Sequence, residues 1–386
     1  MKFAIAKKEL QDALSVVIAG VAINSTLPVM AGIFVRAEND EVTFESTDLD
    51  FSCQVSAGAA VEEPGQTVLP GKLFFEIVKN MEDARVSVSA DEQKAFITCE
   101  GSAFSTNVLN PEEFPKFPNI ETNECLEIEL SKFQAMVKRV NKTAAKDESK
   151  GVFTGVFFRL KDGKISAVTS DAIRVSIAEE KDESNNASEF DAILPMHFLN
   201  DICNINDEGQ IVKIGKNENQ IVIKVGSSTF INRRLNGDFP DFEKLINSNN
   251  ETTVVVNRQA FISAIRRVSI LKSDATPVYI NVDVEKSMMQ LSLNAESGEI
   301  ATEVLQANCF GDSSTIAFDG ANLIDGISAA GTNDILFTFS SGPVPAHIAP
   351  CVVKEEDISF EMVKETEGNM MNNKYLYLLM PISQRK

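Results

Sequence analysis

Three stretches of the chain share one arrangement of apolar and polar positions. They are FAIAKKELQDALSVVIAGV from Phe3, LEIELSKFQAMVKRVNKTA from Leu126 and TVVVNRQAFISAIRRVSIL from Thr253. Each alternates like a strand, turns polar, and then places apolar residues at helical spacing. In the second, Phe133, Met136, Val137 and Val140 recur at i, i+3, i+4 and i+7, which puts them on one face of a helix. Ser131 and Asn257 stand where the second and third helices should be N-capped. Leu10, Phe133 and Phe261 are separated by 123 and 128 residues.

Hairpin patterns follow each helix. Asp162-Gly163, between Leu160-Lys161 and Lys164-Ile165, has the composition of a type I′ turn. Asn39-Asp40 and Glu285-Lys286 occupy the corresponding places. The phrase TFESTDLDFSCQV, from Thr43, returns as SAVTSDAIRVSI, from Ser166, with Asp48 and Asp171 123 residues apart. A second helix is predicted in LPGKLFFEIVKNM from Leu69, LPMHFLNDICNI from Leu194 and FDGANLIDGISAAG from Phe318. Further hairpins close each unit, and VLNPEEFPKFPNI is then echoed by RLNGDFPDFEKLI. Landmarks that keep a near-constant period mark a repeat architecture. The pattern predicts three tandem similar α+β domains, near 1–122, 123–249 and 250–386, each with two helices and antiparallel sheets. The joints Glu121-Thr122-Asn123 and Asn247-Ser248-Asn249-Asn250 are short and polar.

Composition narrows the class. The hydrophobic share of 44% is enough for real cores. No window approaches the roughly 20 continuous apolar residues that span a membrane, and MKFAIAKKELQDAL lacks the pattern of a signal peptide. Six scattered cysteines without a C-x-x-C pair suit reduced thiols in a cytoplasmic protein. With only His197 and His347, a multi-histidine metal site is not expected. Nor does any motif imply a cofactor.

Catalytic signatures are missing. There is no G-x-G-x-x-G after a strand, no G-x-x-x-x-G-K-[ST] and no G-x-S-x-G. Asp48 and Asp50 could share a strand face and hold Mg²⁺. A solvated edge, or a hydrogen-bonded turn at Thr47-Asp48, is the better reading, because the other copies lack the pair. The run Glu179-Glu180-Lys181-Asp182-Glu183 reads as a solvated loop tip. These absences argue against a tandem-domain hydrolase or transferase.

Net charge is −20, from 36 Lys+Arg against 56 Asp+Glu, which on average repels nucleic acid. The cations are nonetheless grouped on the predicted helices. Lys72 and Lys79 lie seven apart in the first domain. Lys132, Lys138, Arg139 and Lys142, then Lys146 and Lys150, follow in the second, with Lys138 and Lys142 at i, i+4. The third carries Arg258, Arg266 and Arg267. Such a segregated surface would touch phosphates loosely and without base readout. His197, at the head of a second helix, suits a solvent-facing or phosphate-touching side chain better than a general base.

Taken together, MKFAIAKKEL, STLPVMAGIFVRA, STDLDFSCQV, LPGKLFFEIV, FSTNVLNPEEFP, TGVFFRLKDGKISAVTSDAIRV, RRLNGDFPDF and the C-terminal LYLLMPI resemble the bacterial DNA polymerase III β subunit family, the replicative sliding clamps. Order and spacing are kept across essentially the whole chain. The resemblance implies the DNA clamp fold and a ring formed by a head-to-tail homodimer. Phe104 of one copy would lie near Ile270 and Leu271 of the other. The ring would encircle duplex DNA without catalytic residues of its own. It would tether the replicative polymerase, the clamp loader and repair proteins through short peptide motifs. By the same resemblance, Phe153, Ser170, Ala172, Ile173, Arg174, Val175, Pro240, Lys244, Leu245, Thr276, Pro345, Leu378, Met380, Pro381 and Ile382 would line the peptide pocket. The family often has Gly-His-Arg-Leu where this chain has Ala172-Ile173-Arg174-Val175, so the rim should be more apolar. Asn24 stands where an arginine is common on the DNA-facing loop, and Met196-His197 replaces a basic pair. With them, Lys72, Lys79, Lys138, Arg139, Lys142, Lys146, Lys150 and Arg266 are the expected DNA contacts. The rival reading is a repeat adaptor that binds peptides without encircling DNA.

Overall fold

A computed structural model describes residues 1–22, 27–120, 124–183, 189–205, 209–246, 250–272, 276–352 and 374–382. The fold is α+β, and its strands pair antiparallel. The helices are α1 (Lys7–Val17), α2 (Gly71–Lys79), α3 (Leu130–Val140), α4 (Met196–Ile202), the short α5 (Glu243–Ile246), α6 (Arg258–Val268) and α7 (Gly320–Ala329). None is long and apolar enough to cross a membrane. Glu121-Thr122-Asn123, Asn247-Ser248-Asn249 and Asn24 lie outside the described residues.

The predicted stripes are the buried faces. Leu10, Ala13, Leu14 and Val17 face inward on α1. Phe133, Met136, Val137 and Val140 do so on α3, each at most 1% exposed. A fully buried side chain of this kind contributes about 1.5–3 kcal/mol. Asn257 caps α6 by accepting from the Ala260 N–H. Ser131 is not a cap: α3 begins at Leu130, and the Ser131 hydroxyl donates to the Glu129 carboxylate instead. The hairpin turns follow their chemistry. Asn39, Asp40, Asp162 and Gly163 all have positive φ, as a type I′ turn requires. The third copy differs, because four residues separate Asp283 from Met288 and only Ser287 turns left-handed.

The chain forms two compact units, residues 1–133 with 197–234 and residues 134–196 with 235–386. The first holds an eight-stranded sheet. Its order is Glu124–Glu129, Ile211–Lys216, Gln220–Val225, Ser228–Arg233, Phe51–Gly58, Glu41–Thr47, Gly32–Glu38, Gly65–Pro70. It also holds a five-stranded sheet that ends on Ser102–Asn107. The second unit holds a nine-stranded sheet. Its order is Phe190–Pro195, Gly155–Lys161, Lys164–Ser170, Arg174–Lys181, Tyr375–Leu379, Ala346–Cys351, Asp334–Phe339, Thr252–Asn257, Asn308–Gly311. Its four-stranded sheet ends on Ile300–Gln306.

Each large sheet therefore joins strands from consecutive repeats. The joining pairs are Phe51–Gly58 with Ser228–Arg233, and Arg174–Lys181 with Tyr375–Leu379. Behind the second joint, α7 lies close on Tyr377. A Cβ on Gly326 would come 2.2 Å from the Tyr377 ring. The hydroxyls of Tyr375 and Tyr377 donate to the carbonyls of Gly326 and Asn322, at 3.2 and 2.8 Å.

Candidate functional site

The two joining strands are preceded by the same turn, built twice. In the second unit the Asp171 carboxylate accepts from the Ile173 and Arg174 N–H groups, at 3.0 and 3.1 Å. The Ser170 hydroxyl accepts from the Ala172 N–H and donates to the Arg174 carbonyl. In the first unit, Asp48 accepts from Asp50 and Phe51, and Thr47 accepts from Leu49 and donates to Phe51. Leu49 and Ala172 both adopt positive φ, 80° and 77°. The carboxylate of Asp48 is thus spent on its own backbone, the turn reading of the Asp48/Asp50 pair.

After this common turn the side chains diverge. The Arg233 N–H donates to the Asp50 carbonyl, and the Met380 N–H donates to the Ile173 carbonyl, so the two joints match atom for atom. In the first unit the two side chains form an ion pair, Asp50–Arg233, at 3.0 Å. In the second they are apolar and stand open to solvent: Ile173 is 54% exposed and Met380 36%. Leu245 and Ile382 are exposed as well, each 42%. A cluster of exposed apolar residues around ordered backbone is what an extended peptide's anchors need.

The strand Tyr375–Leu379 brings the far end of the chain here. Val175 pairs with Leu378 and Arg174 with Leu379, while Pro345 precedes the strand whose Ala346 and His347 pair with Leu379 and Leu378. The Ile382 N–H donates to the Ala317 carbonyl, and Ala317 pairs with Tyr279 near the buried Thr276. Phe153 meets Phe239 edge-on at 6.1 Å beside Pro240, and Lys244 pairs with Asp241 at 3.1 Å.

Two groups that the sequence did not assign fix this wall. His347 is 3% exposed and hydrogen-bonded to the Leu245 backbone, which ties α5 to the sheet. Burial, only partly offset by that bond, pulls its pKa down to about 4. Asp325, on α7, accepts from Arg174 Nη1 at 3.0 Å and pairs with Lys142 at 3.3 Å. Arg174 also bonds Asp171 through Nε at 2.8 Å, the Lys142 carbonyl through Nη2 at 2.8 Å, and Tyr377. Burial alone would weaken this guanidinium's hold on its proton. Tyr377, Asp171 and Asp325 outweigh it and raise the pKa above its ordinary value.

The candidate phosphate contacts are surface groups. Lys72, Lys79, Lys138, Lys142, Lys146, Lys150, His197 and Arg266 are exposed, and Arg139 is half-buried. Lys79 pairs with Glu76 at 3.6 Å, and Arg139 donates to the Lys374 carbonyl at 3.0 Å. Lys142 departs from its expected place on the helix. α3 ends at Val140, so Lys142 follows in a 3-10 turn and does not share a helical face with Lys138. Lys138 and Arg139 occupy the last turn of α3, where the helix dipole favours cations. Arg267 is engaged by Glu303 through two hydrogen bonds, at 2.9 and 2.8 Å, which leaves Arg266 as the outward cation of that pair.

Both smaller sheets end on exposed strands. Phe104, 42% exposed, is on Ser102–Asn107. On Ile300–Gln306, Ile300 and Val304 are 69% and 50% exposed, and neither was expected from the sequence. Ile270 is 80% exposed, whereas Leu271 packs partly against the core. Unpaired edges with apolar side chains are templates for another strand.

Family models describing the N-terminal, central and C-terminal domains of the DNA polymerase III beta subunit match residues 1–118, 127–241 and 243–363. The beta sliding clamp of Bacillus subtilis (strain 168) is 25% identical over 357 residues, covering 89% of this chain and 94% of that protein. The beta sliding clamp homolog GriR of Streptomyces muensis is 28% identical over 346 residues, covering 88% and 91%. Among solved structures, the Bacillus subtilis sliding clamp superposes with a TM-score of 0.88 at 23% identity. The Pseudomonas aeruginosa DnaN clamp bound to griselimycin gives 0.89 at 20%, and both superpositions cover 100% of each chain.

Proposed function

The chain belongs to the DNA polymerase III beta subunit family, the DNA sliding clamps, and from that premise we propose that two copies close head to tail into a ring around duplex DNA. Each copy contributes three domains, near 1–122, 123–249 and 250–386. The ring performs no reaction. It works in the cytoplasm and holds the replicative polymerase, the clamp loader and repair proteins at the template. Duplex DNA is contacted loosely, without base readout, by Asn24, Lys72, Lys79, Lys138, Arg139, Lys142, Lys146, Lys150, His197 and Arg266. Such contacts permit sliding, because topology, not affinity, retains the ring.

Partners dock by a short extended peptide on the wall formed by Ser170 to Val175 and Leu378 to Ile382, with Phe153, Pro240, Lys244, Leu245, Thr276 and Pro345 around it. The observation that carries this reading is the contrast between the two joints. One chain geometry presents an ion pair, Asp50–Arg233, in the first unit and two exposed apolar side chains, Ile173 and Met380, in the second. Met380 is an adaptable contact for differing anchors.

Griselimycin, the ligand in the Pseudomonas aeruginosa clamp structure, provides a probe. Calorimetry on the wild type and on a Met380→Ala/Arg174→Ala variant tests the pocket. Binding about tenfold weaker in a variant that still folds is expected from the lost apolar contact and the released wall. Unchanged affinity would remove Met380 and Arg174 from the site.

A further inference from the structure

The first unit carries a cavity of about 620 Å³. Its floor is the outer face of the eight-stranded sheet. Glu45, Gln54, Thr229 and Lys224 are directly paired from strand to strand, forming one polar row across four neighbours. Its roof is the segment 111–120, anchored where Phe114 stacks on Phe34 at 5.4 Å. In the second unit the matching sheet positions are Val168, Ile177, Leu376 and Ala349, none more than 2% exposed, in one apolar cluster with Phe242. The same place in the repeat is thus filled core in one unit and a polar-floored cavity in the other.

The polar row has a negative and a positive end. Glu45 is 5% exposed, accepts from Gln54 at 2.8 Å, and has Arg36 only at 3.9 Å. Arg36 is shared with Glu38, so this end keeps one surplus negative charge. Burial raises the Glu45 pKa, the cost of a carboxylate with too few partners. At the other end stands Lys224, with Lys116 on the roof. Three strand spacings separate Glu45 from Lys224, about 14 Å, which is the reach of about four extended residues. The side-chain amide of Gln54 and the hydroxyl of Thr229 between them suit a peptide backbone, and Phe117 with the roof prolines suits small apolar side chains.

We propose that this cavity is a second peptide-docking site, which takes an extended segment of about four residues with a basic side chain at the Glu45 end and an acidic one at the Lys224 end. It does not depend on the wall around Met380.

The test uses the full-length chain and four acetylated, amidated tetrapeptides, Arg-Ala-Ala-Glu, Arg-Ala-Ala-Lys, Glu-Ala-Ala-Glu and Ala-Ala-Ala-Ala, titrated by NMR or calorimetry. The wild type should bind Arg-Ala-Ala-Glu best. Glu45→Gln, which keeps the shape and the Gln54 partner, should weaken that binding about tenfold. Lys224→Glu, an exposed change, should switch the preference to Arg-Ala-Ala-Lys, an outcome that a merely structural role would not give. Equal affinity for all four peptides, no binding at millimolar peptide, or binding that survives both substitutions would overturn the proposal.

Discussion

Arg174 shows how one residue can set the shape of a surface. Its side chain is 11% exposed and spans Asp171 on its own turn, Asp325 on α7 and the Lys142 carbonyl. Arg174→Ala would leave Asp171 and Asp325 short of a partner, and stability should fall by about 1–3 kcal/mol. Replacing Asp325 by Ala as well should recover part of that loss, read from urea midpoints of the single and double variants. His347 makes a pH prediction. Its folded pKa of about 4 lies below the ordinary 6.5, so the folded state disfavours the proton. Its contribution is full above about pH 6.5 and is lost as pH falls toward 4, by up to about 3 kcal/mol. A His347→Gln variant should show a flatter decline of unfolding midpoint over that window than the wild type. The sequence made Arg174 visible only as a member of a family motif. Its partners Asp325 and Tyr377 are 151 and 203 residues away, and no local pattern announces such a pairing.

At the level of elements, the repeated turn was legible because its chemistry is local. An Asx turn needs only an Asp or Asn and an ST turn only a Ser or Thr, and Thr47-Asp48 and Ser170-Asp171 supply one of each side by side. The helical stripes and type I′ hairpins were legible for the same reason. Ser131 was misread because a serine near a helix start resembles a cap, while the strand before α3 runs straight into the helix at Leu130. The sharing of sheets between repeats could not be read, since strand alternation does not say which strand lies alongside. The packing of α7 gives an element-scale prediction. Gly326→Ala gains about 1 kcal/mol of helix propensity but drives a methyl into the Tyr377 ring, 2.2 Å away. Overpacking costs about 1–3 kcal/mol, and ring and helix are both held by the Tyr377–Asn322 bond, so the clash should win. A lowered thermal midpoint is expected; a raised one would show that α7 can slide off Tyr377.

For the whole molecule, the average charge of −20 misleads, because binding depends on where the cations are placed. Closure into a ring also predicts that the exposed strand edges are used. Phe104→Asp, on a strand exposed along most of its length, should fold normally yet shift sedimentation from dimer toward monomer. An unchanged dimer would place the interface elsewhere. Encirclement is open to one direct measurement. The protein is loaded by a clamp loader onto nicked circular plasmid, washed at a salt concentration that strips surface-bound protein, and the plasmid is then cut once. A ring held by topology stays on the circle and leaves when the DNA becomes linear. Equal retention on circular and linear DNA would contradict it.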